Sequence, residues 1–233
     1  MNNLIVSLKD SMFLNEEVEK NIEEIIAIIQ EPIEVLSNNP VVKSIPVVKT
    51  VVSLSKTALA IRDRILVKNL MKFIKSVNDG SIRAEDLDKY KQKIEDNPKI
   101  LNRDLEQILI LMDKESNQDK IKILIQLYKS YINESIDWED FMEFSEITDR
   151  LFLSDIFQLK NLYNIKQIGD KDEFYPICMN RLSSLGLVNY YNGMVVRTNE
   201  ENPKPMIGEI NELGESFYKY GILNSELNLD ENE

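Results

Sequence analysis

The sequence predicts a mainly α protein, in which a helical bundle with pseudo-repeated helix-turn-helix units precedes a small α+β domain. The chain has 233 residues, 43% of them hydrophobic and 29% charged, but only seven glycines and seven prolines. This composition favours helices over turn-rich β structure. Apolar residues recur at helical spacing through much of the chain, and one short pattern occurs twice. An Asn-Gly turn between two β-rich runs occurs only near the C-terminus.

The N-terminal region, residues 1–40, is acidic and is predicted to contain one helix. Its first 37 residues carry eight acids and two bases. The apolar residues at helical spacing are Val18, Ile22, Ile25, Ile26 and Ile29. Pro32 and the run Asn38-Asn39-Pro40 end this helix.

Residues 41–150 are predicted to form the bundle, which opens with one long helix over 47–78. Pro46 suits its first turn, and the turn Asn78-Asp79-Gly80 ends it. The β-branched first half could instead form a strand, but no partner strand is evident nearby, which favours the helix. Residues 38–76 carry one acid, Asp63, although the whole chain has a net charge of -12. The bases of this segment are Lys43, Lys49, Lys56, Arg62, Arg64, Lys68, Lys72 and Lys75.

Three explanations fit this basic segment. Its apolar stripe could lie in the core, with the basic edge in solvent or paired with acids of the first helix. The segment could instead lie on an anionic membrane surface, or bind another anionic partner. It is not a membrane span, because Lys49, Lys56 and Arg62 interrupt every window of about 20 residues that a bilayer crossing requires.

A repeat occupies residues 75–87 and 129–141, which align with a constant offset of 54 residues. The two copies share Lys, Ser, Ser, Ile, Glu and Asp at corresponding positions. Each copy predicts the end of one helix, a short turn and the start of the next helix. Further helices are predicted near 85–95, 103–113 and 119–132. The Ser-Ile-x-x-Glu turn resembles the turns of tellurite-resistance TerB-like helical domains over residues 75–145.

The residue types argue against an enzyme. The chain has no histidine, which removes the commonest general base and the usual nitrogen ligand for zinc. The single cysteine, Cys178, lies in an apolar run and is predicted to be a small core residue rather than a nucleophile.

Two groups of acids could bind a metal, but helix capping explains them better. Asp79 to Asp86 looks like half of an EF-hand loop, and residues 113–119 alternate acids and amides without the central glycine. A metal-dependent nuclease site at Asp137, Glu139 and Asp140 is the remaining catalytic alternative; these residues stand where a helix begins. We therefore predict no catalytic residue, no metal site and no cofactor.

Residues 151–224 follow a different pattern. Helices are predicted over 155–163 and 171–185, then two strands around Asn192-Gly193, a third strand over 206–210 and a helix over 211–221. This order is that of a winged-helix domain. Residues 225–233 are predicted to form an acidic tail.

Winged-helix domains often bind DNA, and four bases of this region are candidate nucleic-acid contacts. They are Lys171, Arg181, Arg197 and Lys204. The neighbouring acids at 170, 172, 173, 200 and 201 oppose the phosphate neutralisation that DNA binding requires. A protein-contact module is favoured, and a DNA-binding transcriptional regulator is the alternative.

The run Ser44-Ile-Pro-Val-Val48 leading into a basic helix, followed by Leu182-Ser-Ser-Leu-Gly-Leu-Val188, resembles abortive-infection alpha-like proteins of bacteria and prophages. The resemblance is strongest over residues 172–221. It implies a role in phage–host conflict and supplies no catalytic residues. We expect a non-enzymatic interaction protein with a protein partner or a second copy of itself. The N-terminus shows no secretory signal, so a cytoplasmic location, with or without contact to the inner face of the membrane, is expected.

Overall fold

The computed structural model describes residues 2–13, 16–54, 59–169, 175–191, 206–225 and 227. The chain divides into two compact units: residues 1–121 with 132–134, and residues 122–131 with 135–233. As predicted, the fold is mainly helical. The helices are α1 Asn2–Met12, α2 Glu16–Ile28, α3 Ile33–Asn38, α4 Pro40–Ser44, α5 Pro46–Leu54, α6 Ile61–Asn78, α7 Ala84–Asp96, α8 Pro98–Lys114, α9 Gln118–Ile132, α10 Trp138–Arg150, α11 Asp155–Ile165, α12 Pro176–Ser184 and α13 Glu212–Phe217. The strands are β1 Gln167–Gly169, β2 Val188–Tyr190 and β3 Met206–Ile210.

The first helix, α1, was not predicted, and it packs on α5. The hydroxyls of Ser7 and Thr50 are 2.7 Å apart, and the hydroxyl of Ser11 accepts a hydrogen bond from the backbone N–H of Val47 at 2.9 Å. The two helices therefore run antiparallel. Ser11 is fully buried, and this bond satisfies a donor in the first turn of α5.

The prediction of one continuous helix over 47–78 is wrong. Helix α5 ends at Leu54 and α6 begins at Ile61. Ala60 is extended, with a ψ of 157°, and its N–H donates to the carboxylate of Asp63 at 3.1 Å. Asp63, the one acid of the basic segment, therefore caps the new helix. The strand alternative is also excluded for residues 46–54, which are helical.

Both copies of the repeat form the predicted helix, turn and helix. The first copy joins α6 to α7, and the second joins α9 to α10. Gly80 and Glu134, which are 54 residues apart, both have positive φ, at 79° and 56°. Ile82 and Ile136, the next matching pair, are both buried. The repeat is therefore a repeat of backbone conformation as well as of sequence.

A buried amide connects three helices of the first unit. Asn69, on α6, donates to the carbonyl oxygens of Met112 and Glu115, both at 2.8 Å, and accepts from the side chain of Gln118 at 3.1 Å. These bonds satisfy carbonyl groups at the end of α8, which the helix itself leaves unpaired. Asn69 thereby fixes the end of α8 and the start of α9 against α6.

The described strands of the second unit form an antiparallel sheet in the order β1-β3-β2. β3 confirms a predicted strand, whereas β1 was not predicted. The predicted helix over 171–185 begins later, at Pro176, since Tyr175 is extended. Pro176 suits a first helical position because it has no N–H to leave unpaired. Residues 170–174 and the predicted strand after Asn192-Gly193 lie outside the described residues.

The C-terminal helix confirms the predicted element and ends in an unusual turn. α13 continues as a π-helix over Tyr218–Ile222. The hydroxyl of Ser130 donates to the carbonyl of Tyr220 at 2.9 Å. Ser225, predicted to open the acidic tail, is instead buried and donates to the carbonyl of Ile222 at 2.6 Å. Residues 226 and 228–233 of that tail lie outside the described residues.

Candidate interaction surfaces

Most of the apolar residues of the basic segment are buried, as the core-helix explanation predicts, whereas Leu54 and Ile61 are 68% and 79% exposed. The buried side chains of α4, α5, α6 and the adjoining residues are Val42, Ile45, Val47, Val48, Val51, Val52, Leu59, Leu66, Val67, Leu70, Met71, Phe73, Ile74 and Val77. No helix among the described residues is long and apolar enough to cross a bilayer.

Several cations of this segment contact other parts of the first unit. Arg62 pairs with Asp113 on α8, which raises the pKa of the guanidinium through its hydrogen bond and the nearby charge. Lys75 pairs with Glu23 on α2, confirming one of the predicted pairs between the acidic and basic helices. The guanidinium of Arg64 donates to the backbone carbonyls of Ile29 and Glu31.

The remaining cations of the segment are distributed along its helices. The ammonium of Lys72 lies 2.6 Å from the side-chain oxygen of Gln118, and that of Lys43 lies 3.5 Å from the carbonyl oxygen of Asn38. Lys49 is exposed on α5, and Lys68 is half-buried on α6. Lys56 lies outside the described residues. Much of the positive charge that distinguishes this segment in the sequence therefore contributes to the packing of the first unit.

Among the candidate nucleic-acid contacts, Arg181 is described, and it belongs to a buried ion pair. Its guanidinium forms two hydrogen bonds with the carboxylate of Asp155, one of them 2.6 Å long. This bonding raises the pKa of the arginine, and Asp155 is fully buried. Arg181 thus joins α12 to the first turn of α11. Lys171, Arg197 and Lys204 lie outside the described residues.

Arg181 also packs against the exposed aromatic ring of Phe152. Its guanidinium carbon lies 4.7 Å from the centre of the Phe152 ring, the geometry of a cation–π contact. Phe152 is 57% exposed and Ile177, one helical turn before Arg181 on α12, is 69% exposed. Ile177 and Arg181 lie four residues apart and therefore share one face of α12. Tyr175 and Pro176, which are also exposed, precede Ile177 at the start of α12. We call Phe152, Tyr175, Pro176 and Ile177 the α12 surface.

Cys178 is half-buried rather than in the core. Its sulfur lies 3.5 Å from the Arg181 guanidinium. Burial, together with the carboxylate of Asp155, raises the pKa of the thiol above its ordinary value. A raised pKa lowers the fraction of thiolate, which is the nucleophilic form of cysteine.

Several of the acids and amides considered as a nuclease or calcium site accept backbone hydrogen bonds at helix starts or in turns. The carboxylate of Asp137 accepts from the N–H of Asp140 at 2.9 Å, and Asp140 accepts from the N–H of Asp137 at 3.1 Å. Asp79 likewise accepts from the N–H of Ser81, and Asn117 from the N–H of Asp119. Within the described ranges, no group of three or more acids and cysteines has a geometry that could hold a metal ion.

Sequence reasoning missed Phe152, an exposed member of the α12 surface, and Asp155, the partner of Arg181. The sequence predicts Asp155 only as the start of a helix, because Arg181 lies 26 residues further along the chain. The sequence does not indicate that Phe152 is exposed, because an aromatic residue in an apolar run such as Leu151-Phe152-Leu153 is predicted to be buried. A Ser-Asp pair at a helix start, followed by a lone arginine on the next helix, is the one pattern that could have suggested the ion pair.

No protein-family model, curated protein or solved structure matches this chain.

Proposed function

We propose that the protein is a non-enzymatic interaction protein whose C-terminal domain is a winged-helix-like module that binds a protein partner. The observation that carries this proposal is the α12 surface, which presents exposed apolar side chains at the start of a helix. Exposed aromatic and apolar residues around an arginine are typical of protein–protein interfaces.

The strand order supports the winged-helix-like assignment. In that architecture the two helices of the helix-turn-helix lie between the first two strands along the chain, and the third strand pairs between them. Among the described residues, α12 follows β1 and precedes β2, and β3 pairs with both β1 and β2. Residues 192–205, which would contain the wing in this proposal, lie outside the described residues.

The chemistry of α12 supports a protein rather than DNA. In helix-turn-helix proteins the N-terminal residues of the recognition helix contact base edges, and cations around it neutralise phosphates. The N-terminal residues of α12 are instead Pro176 and Ile177, preceded by Tyr175. The arginine of this helix, Arg181, is neutralised by Asp155. Residues 135–233 contain nineteen acids and eight bases, a charge that repels DNA.

The DNA-binding regulator remains the alternative and has a clear test. Arg181 is unsuitable for that test, since its replacement would leave the Asp155 carboxylate buried without a partner. We would change Arg197 and Lys204 to Glu and measure binding to duplex DNA at two salt concentrations. If the wild type bound DNA in a salt-dependent way and the variant did not, the DNA-binding regulator would replace the protein-contact proposal.

The resemblance to abortive-infection alpha-like proteins supports a role in phage–host conflict. We expect a bacterial host that produces the protein to show reduced phage plating, and the variants Phe152→Ser and Ile177→Ser to restore it. If both variants reduced phage plating as much as a protective wild type, protection would not depend on the α12 surface.

Site-specific photo-crosslinking in producing cells tests the proposal directly. A benzoylphenylalanine at position 177 should form nuclease-resistant adducts with protein, whereas the same probe at position 35, another exposed apolar site, on α3, should not. Adducts that nuclease treatment removes, or equal adducts at both positions, would contradict the proposal.

A further inference from the structure

Lys166, which follows α11 and precedes β1, has a backbone conformation that is rare for a residue with a side chain. Its φ is 70° and its ψ is -39°. Of the residues that the structure describes, Glu134 is the other one besides glycine with a positive φ. A Cβ makes this region unfavourable, so the conformation of Lys166 requires contacts that hold it.

The backbone of Lys166 connects α11 directly to the sheet. Its N–H donates to the carbonyl of Leu162, in the last turn of α11, at 2.7 Å. Its carbonyl accepts from the N–H of Ile210 on β3 at 3.0 Å, which extends the pairing of β1 with β3 by one residue. The positive φ therefore lets the chain pass from the helix into β1 without an intervening loop.

The side chain of Lys166 is held by two groups. Its ammonium donates to the carboxylate of Glu215 on α13 at 2.9 Å and lies 4.5 Å from the centre of the Tyr163 ring, as in a cation–π contact. Tyr163 is itself stacked on Tyr218, with the ring centres 4.5 Å apart. Tyr218 is buried, so this stack connects the lysine to the core of the second unit.

The strand that Lys166 introduces is short, and the ion pair beside it is exposed. β1 has three residues at one edge of the sheet, and its register on β3 shifts between Ile168 and Gly169. The side chains of Lys166 and Glu215 are 55% and 44% exposed, and ion pairs of this kind are weak. A short edge strand beside a weak ion pair favours local opening without unfolding of the whole unit.

We propose that Lys166 is a strained latch, whose contacts with Tyr163 and Glu215 hold β1 on β3 against the preference of its own backbone. When these contacts break, the φ of Lys166 returns to negative values and β1 leaves the sheet. β3, which pairs with β1 on one side and with β2 on the other, then presents an unpaired edge to water. Loss of the charge on Lys166 or on Glu215 thus opens one edge of the sheet while β2 stays paired.

Amide hydrogen exchange at two neighbouring residues, followed by NMR on the full-length chain, tests this proposal. The N–H of Ile210 donates to Lys166, at the β1 edge, whereas the N–H of Asn211 donates to the carbonyl of Leu187, just before β2, at 3.3 Å. Opening of the latch exposes the first N–H to water and leaves the second bonded. Each variant is compared with the wild type at both residues.

Two variants remove the contacts and keep the strain. Lys166→Met loses the ammonium but retains the Cβ, and we expect it to raise the exchange rate of Ile210 at least tenfold and that of Asn211 less than twofold. Glu215→Gln removes one of the two contacts and should raise the rate of Ile210 at least twofold. The matched control is Glu212→Gln, which changes another acid in the first turn of α13 and should leave both rates unchanged.

A third variant separates the strain from the contacts. Lys166→Gly loses the same contacts as Lys166→Met but adopts the observed φ without a Cβ. We therefore expect the N–H of Ile210 to exchange at least threefold more slowly in Lys166→Gly than in Lys166→Met.

Three results would overturn the proposal. Exchange at Ile210 that is as fast in Lys166→Gly as in Lys166→Met would show that the backbone stores no strain. Unchanged exchange in Lys166→Met would show that the side-chain contacts do not hold β1. Equal acceleration of Ile210 and Asn211 would show that the sheet opens as a whole and not at the β1 edge.

Discussion

Asp155 is wholly buried, so the stability that its pair with Arg181 contributes depends on which partner is removed. Without Arg181, the carboxylate loses two charge-assisted hydrogen bonds and stays away from water. Without Asp155, the partly exposed guanidinium can turn towards solvent. Replacing Arg181, the more exposed residue of the pair, should therefore destabilise the fold more than replacing Asp155.

We accordingly expect Arg181→Met to lower Tm about twice as much as Asp155→Asn. The double variant should lose less than the sum of the two, since it leaves no unpaired charge. Thermal unfolding of the four proteins measures this cycle. A larger loss for Asp155→Asn, or strict additivity, would mean that the pair does not carry the connection between α11 and α12.

Gly214 and Gly80 are required for different reasons. A Cβ on Gly214 would overlap the backbone carbonyl oxygen of Leu187 and lie 2.9 Å from the side chain of Ile210. A Cβ on Gly80 would meet no atom within 4 Å, but φ there is +79°. Gly214 permits a close approach of α13 to the backbone of Leu187, just before β2, and Gly80 permits a left-handed turn.

We therefore expect Gly214→Ala to cost about 3 kcal/mol in the free energy of unfolding, because backbone atoms must move. Gly80→Ala should cost only about 1 to 2 kcal/mol, the strain of a left-handed residue. Chemical denaturation followed by circular dichroism compares them. Equal losses would show that the contact at Leu187 relaxes easily.

Among the structural elements, the repeat shows where the two copies differ. Gly80 and Glu134 occupy the same left-handed position, but only glycine adopts it without strain. The two turns also contact each other, since the backbone N–H of Arg83 donates to the side-chain oxygen of Asn133 at 3.3 Å. The first copy thus carries the better turn residue of the two.

Transferring that residue to the second copy should stabilise the protein. We expect Glu134→Gly to raise the free energy of unfolding by up to about 1 kcal/mol, while Glu134→Ala, which keeps the Cβ, should not. Urea unfolding of both variants provides the measurement. Destabilisation by Glu134→Gly alone would show that flexibility of the unfolded chain outweighs the turn strain.

Elements with local signals were predictable from the sequence, and those that depend on distant contacts were not. α10 and α11 follow from their apolar spacing and acidic first turns. β1 has three residues and exists through its pairing with β3, some 40 residues later. α1 contains the run Leu4-Ile5-Val6, which is equally typical of a strand. For the α12 surface, the sequence indicated Arg181 but not its partner, because spacing does not show which helices pack together.

At the scale of the whole chain, charge is divided unevenly. Residues 38–76 have one acid and eight bases, whereas residues 135–233 have nineteen acids and eight bases. A basic segment that exposed its apolar stripe would be suited to an anionic membrane. Here most of that stripe is buried, with Val47, Val51, Leu66 and Leu70 in the core, whereas Leu54 and Ile61 are exposed. Membrane binding through the buried part would require α5 and α6 to leave the first unit.

We therefore expect the folded protein not to float with anionic liposomes, and the variant Lys43→Glu/Lys49→Glu to behave in the same way. Flotation on neutral vesicles provides the reference. Flotation of the wild type that increases with anionic lipid and disappears in the variant would show that the basic segment reaches a membrane without any activating step.

The π-turn at Tyr218–Ile222 constrains the number of residues that the C-terminal helix can have. A π-turn contains one residue more than the α-helical turn it replaces. That residue brings the carbonyl of Tyr220 to Ser130 and Gly221 against Leu127. Deleting one residue here would rotate everything that follows by about 100°, and Ser225 would leave its buried position. In this segment a change of length is therefore more damaging than most changes of residue, and related chains should differ here by substitution and not by deletion.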